Sequence, residues 1–171
     1  MLKLKSGKEV NDSVGLLITI LVRYPEIAKI NYEPDNQLIK MSFLIKNDVQ
    51  EETLKRFISG LKESIITFNY IEQVTNIIVD ASFTINDDYI NIELFRDIDT
   101  LTVNEINLIT QLLHLSFSDN IIADNNEVFF EDELQWQEEL ITDMLENLKD
   151  SLPAKKLLAY RDEGKVRVFD K

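Results

Sequence analysis

The sequence contains no cysteine and only one histidine, His114. This rules out disulfides, a thiolate nucleophile, iron–sulfur ligation and any zinc site that needs several Cys or His ligands. Glycine is scarce as well. Gly7, Gly15, Gly60 and Gly164 are too far apart to build a phosphate-cradling loop or a dinucleotide-binding turn. A zinc-protease helix, an EF-hand loop and a Gly-x-Ser-x-Gly nucleophile elbow are also missing. With only 3 Pro and 4 Gly in 171 residues, the chain is neither low-complexity nor disordered. The apolar run Val14–Val22 is too short to span a bilayer. The basic start, Met1 to Lys8, is followed by no small-residue cleavage site near Tyr24-Pro25-Glu26. These features read as a cytoplasmic protein without a membrane segment.

Apolar residues make up 44% of the chain, enough to fill a core without covalent staples. The expected fold is α+β: a single domain over 1–171, built from antiparallel β-hairpins covered by helices on one face. Leu2 and Leu4 alternate with lysines, a short strand signal. Asn11-Asp12-Ser13 offers caps for a buried helix ending near Arg23. Pro34-Asp35-Asn36 is a turn joining strands around Ile27–Tyr32 and Leu38–Lys46. Asp48 and Glu51 suggest a capping box before an amphipathic helix with Leu54, Phe57, Ile58, Leu61 and Ile65 on one side. A second hairpin, Ile77–Ile85 and Tyr89–Phe95, is followed by a helix over about 102–118. A displacement of 51 carries Leu38, Ile39, Met41 and Phe43 onto Tyr89, Ile90, Ile92 and Leu94. It carries Phe57, Ile58 and Leu61 onto Leu108, Ile109 and Leu112. This suggests tandem hairpin–helix units over 27–68 and 77–118, with pseudo-twofold symmetry. Alternatively, any two hairpin–helix units share such periodicity. After a loop at Asp124-Asn125-Asn126, the remainder, 127–171, reads as a long helix ending before Pro153 and a hairpin turning at Gly164.

Charge is the other strong feature. The net charge is −13, and it is segregated. Residues 119–150 hold 11 acids and one base, whereas 151–171 hold 3 acids and 6 bases. A surface this acidic disfavours nucleic acid and anionic membranes and favours a cationic partner. His114 projects onto a polar helix arc and reads as a solvated side chain. The acidic clusters Asp87-Asp88, Asp97/Asp99 and Glu131-Asp132-Glu133 fit turn and helix-start chemistry, with Mg²⁺ binding or acid–base work as the alternative. Trp136 sits at the edge of an apolar stripe. Its first reading is core packing, and its second is an interface anchor. The basic residues Lys155, Lys156, Arg161, Lys165, Arg167 and Lys171 read as a solvated hairpin face.

The function expected from this pattern is a non-catalytic acidic interaction, adaptor or assembly protein, with no cofactor and no metal. Its candidate interface is Glu131, Asp132, Trp136, Glu138, Glu139 and Asp143, and its partner another protein with a basic surface. The alternative is a small carboxylate-based enzyme or a ligand- or Mg-binding protein.

Overall fold

A computed structural model describes residues 8–123, 130–149 and 156–170. The elements run α1 (Lys8–Arg23), β1 (Ile27–Glu33), β2 (Leu38–Lys46), α2 (Glu51–Ile71), β3 (Val79–Ile85), β4 (Tyr89–Asp97), α3 (Val103–Phe117), β5 (Ile121–Ile122), α4 (Glu131–Lys149), β6 (Leu157–Asp162) and β7 (Lys165–Asp170). The fold is α+β. One antiparallel sheet has the order β3-β4-β2-β1-β6-β7, and β5 pairs with one end of β2. The C-terminal hairpin therefore joins the main sheet, β6 lying against β1. Among the described residues, no helix is long and apolar enough to cross a membrane. The proposed first strand at Leu2 and Leu4, the Asp124–Asn126 loop and Pro153 lie outside the described residues.

The sheet follows from period-two patterning. Ile39, Met41, Phe43 and Ile45 of β2 and Ile90, Ile92 and Leu94 of β4 all face the helices and are almost fully buried. These nine-residue strands pair along their whole length, from Leu38↔Asp97 to Lys46↔Tyr89. A bulge at Ala28 keeps Ile27 on the core side, opposite Phe43, while Lys29 faces outward opposite Ser42. β1 begins there, and β5 takes the flank of β2 beyond it by pairing Ile121 and Ile122 with Ile45 and Leu44. The last hairpin closes on Glu163 and Gly164, both at positive φ (50° and 77°). That is the two-residue turn whose twist suits adjacent strands, and glycine adopts it without a Cβ penalty.

The helices bury their apolar stripes in one continuous core with the inner face of the sheet. The cap signals are only partly realised. α1 begins at Lys8, so Asn11, Asp12 and Ser13 lie inside it rather than before it. α2 starts after Gln50 without a side-chain cap, so Asp48 does not form the expected box. Thr102 does cap α3, accepting from the Glu105 N–H at 3.3 Å.

The buried faces of the two hairpin–helix units correspond at changing displacements. β2 maps on β4 at 51, where Ser42 and Glu93, the two midpoints, pair. The buried positions Leu54, Phe57, Ile58, Leu61 and Ile65 of α2 match Ile106, Ile109, Thr110, Leu113 and Phe117 of α3 at 52. The displacement of 51 expected for the helices is thus one residue short, because it would set the buried Phe57 and Leu61 on the half-buried Leu108 and Leu112, and the buried Ile65 on the exposed Ser116.

Candidate partner interface

α4 lies antiparallel along α1. Gly15, Thr19 and Arg23 form one stripe of α1, spaced four residues apart. Gly15 faces Met144 of α4, whose Cε would lie 3.3 Å from a Cβ at that position. At the other end Arg23 donates to Glu138 Oε1 at 2.7 Å, and Asn107 Nδ2 of α3 donates to the same oxygen at 3.3 Å. Tyr24 Oη donates to Asn107 Oδ1 at 2.8 Å. Burial pushes the Tyr24 phenol well above its ordinary range, against the opposing pull of Arg23. Ile141, Leu145 and Leu148 complete the buried side of α4.

The opposite side of α4 carries most of the expected interface. Trp136 is 63% exposed and Phe130, just before the helix, 77%. The core-packing reading of Trp136 is therefore wrong: in the helix it lies some 140° from Ile141 at 100° per residue. Glu131, Asp132, Glu139 and Asp143 are exposed. Glu139 accepts only a 3.4 Å contact from Gln135, and among the described residues no cation pairs with any of these four acids. Glu138 differs, because it is already bound to Arg23 and is not free for a partner. Glu139 and Asp143 also reach a cleft of about 460 Å³ between α4 and the start of α3, floored by Leu101 and Leu145. Glu131, Asp132 and Trp136 stay outside it.

His114 is exposed, and its Nε2 lies 3.2 Å from Glu26 Oε2. Among the described residues, no three His, Cys, Asp or Glu side chains are grouped to hold a metal ion. Asp87 and Asp88 serve the second hairpin turn: Asn47 Nδ2 donates to the carbonyls of Asn86 (2.8 Å) and Asp87 (3.3 Å). Arg161 is not part of a solvated basic face. Its guanidinium donates to the carbonyls of Ile27 (2.9 Å), Pro25 (3.2 Å) and Leu21, and so satisfies the C-terminal end of α1.

A buried ionic cluster was not foreseen. Arg96 and Glu105, both with side chains 0% exposed, form a two-pronged pair at 2.6 and 2.7 Å. Arg96 also donates to Asp97 and, at 2.9 Å, to the Ile78 carbonyl. Asn69 Nδ2 donates to Glu105 at 2.7 Å. Asp97 receives the Ile78 N–H (2.8 Å) and both the N–H and hydroxyl of Thr100 (3.1 and 2.6 Å). Burial acts to raise the Asp97 pKa. The donors from Thr100 and Ile78 and the charge of Arg96 together hold it below the ordinary carboxylate value. The helix-dipole role expected of Asp97 is replaced by this one. The signal was in the alternation of β4, where Arg96 follows Ile90, Ile92 and Leu94 on the inward face.

No protein-family profile, curated protein or solved structure matches this chain.

Proposed function

We propose that the protein is a non-catalytic interaction protein, an adaptor or assembly factor, that takes a basic protein segment on the outer side of α4. One observation carries this reading: a 63% exposed tryptophan on a helix whose neighbouring exposed positions are acids without cations. A half-desolvated aromatic anchor ringed by like charge favours a partner presenting an apolar side chain among lysines or arginines. The partner is another protein and not nucleic acid, because a net charge of −13 repels phosphate.

The test is capture of a stoichiometric partner by wild type and by the triple variant D132K/E139K/D143K, with W136A in parallel. Capture should be lost in both, while the unfolding free energy changes by no more than about 0.5 kcal/mol, as for surface substitutions. Retained capture by both refutes the interface. The alternative, a small carboxylate-based ligand-binding protein or enzyme, is favoured by the cleft holding Glu139 and Asp143. A calorimetric titration with Mg²⁺ and a metabolite thermal-shift screen separate it from the first reading.

A further inference from the structure

We infer that two copies of this chain associate through the β3 edge, extending the sheet across a twofold axis at Ser82. The β3 edge is a surface separate from α4, and pairing there does not depend on partner capture by α4.

β3 is an outermost strand of the sheet. The Asn86 N–H bonds the Tyr89 carbonyl at 2.8 Å, and alternation from that pair fixes the direction of every backbone group in β3. Asp80, Ser82 and Thr84 bond β4, so Val79, Ala81, Phe83 and Ile85 present their N–H and C=O groups outward. The Ala81 N–H accordingly turns away from β4 and donates to its neighbour Asp80 Oδ1 at 2.9 Å.

An antiparallel match of β3 with itself must keep side chains on their own face, which places the axis on a residue. An axis at Ser82 pairs Val79 with Ile85 and Ala81 with Phe83 of the second copy. All four outward-directed residues then find partners; an axis at Ala81 or Phe83 leaves some unmatched. In the Ser82 register the helix-facing pairs are apolar, small Ala81 meeting large Phe83. On the outer face Ser82 meets Ser82, and the only charge, Asp80, meets Thr84. No like charges oppose each other.

The helix beside this edge supports the same occupant. α2 and β3 enclose a groove containing Lys55, Ser59, Lys62 and Phe83. The same side of α2 continues through Ile66 and Tyr70, 50% and 72% exposed, and Ile78 and Ile85 at the two ends of β3 are also exposed. The twofold axis brings this flank against its own copy, covering apolar area that the single chain leaves in water. The Lys62–Asp80 contact at 3.8 Å is exposed and too weak to bar the edge.

Light scattering on the full chain over about 1 to 100 µM tests this. A dimer is expected. Thr84→Lys sets a lysine opposite Asp80 twice per dimer and should tighten it, whereas Thr84→Asp should loosen it, each by roughly two- to thirtyfold in Kd. Ala81→Pro removes an outward N–H, which an edge strand tolerates, and should abolish the dimer with the circular dichroism spectrum unchanged. If Ala81→Pro fails to fold, the opposite responses of the two Thr84 variants still decide. A monomer at all concentrations overturns the inference, as does a dimer whose Kd ignores the charge at position 84.

Discussion

Arg96→Met is the perturbation whose cost follows most directly from the structure. The methionine matches the aliphatic stem of arginine but removes the charge that faces Glu105 and Asp97. Asp97 keeps three donors, from Ile78 and Thr100. Glu105, with its side chain 0% exposed, keeps only the Asn69 amide at 2.7 Å. A buried carboxylate stripped of its counter-charge typically costs about 3–5 kcal/mol. Against a total stability of about 5–15 kcal/mol, that is a large share. At an m-value near 2 kcal/mol/M, the urea midpoint should fall by about 2 M. Removing both charges tests the cause. Arg96→Met with Glu105→Leu deletes the pair and leaves Asn69 bonded to the Ile65 carbonyl at 2.9 Å. Replacing a buried pair by apolar side chains is often neutral or stabilising, so the double variant should recover most of the loss. The coupling energy of this cycle should reach at least about 2 kcal/mol. A single variant costing under about 1 kcal/mol, or two losses that simply add, refutes the reasoning.

Two further outcomes are expected. Asp97 has a folded-state pKa below the ordinary 3.8. Its contribution is therefore fully present above the unfolded value and lost as pH falls through the folded one. Urea midpoints of wild type should decline below about pH 4 more steeply than those of Asp97→Asn; equal acid slopes would show that this carboxylate does not carry the effect. A tandem origin for 27–68 and 77–118 is a proposal that superposition of 29–66 on 80–117 checks. β2 should overlay β4 at a displacement of 51 and α2 overlay α3 at 52, and a different placement of the helices makes the correspondence an accident of periodicity.

Local physics made much of this fold readable in advance. Pro34-Asp35-Asn36 and Gly164 marked turns because their backbone preferences act within a few residues. The stripe from Leu54 to Ile65 marked α2 because a buried helix face needs that spacing whatever covers it. The pairing of β2 with β4 is of another kind. It joins residues some 50 positions apart, and no local preference specifies a neighbour at that distance. The two-residue β5 is too short to carry a period at all. It pairs with Leu44 and Ile45 on the flank of β2 that β1, which begins opposite Phe43, leaves open.

Hydrophobicity alone does not decide burial in this chain. Trp136 is apolar and outside; Arg96 and Glu105 are charged and inside. The positions of Trp136 and Arg96 are nonetheless encoded by period: 3.6 residues turn Trp136 away from Ile141, and 2 residues turn Arg96 inward behind Leu94. Where residue type and period disagree, period sets the position and type sets the consequence. Arg96, carried inward by β4, has to recruit Glu105, Asp97 and the Ile78 carbonyl. Trp136, carried outward by α4, keeps 63% of its surface in solvent and has no hydrogen bond or ring contact among the described residues, and that exposed apolar area is the physical ground for proposing a partner on another molecule.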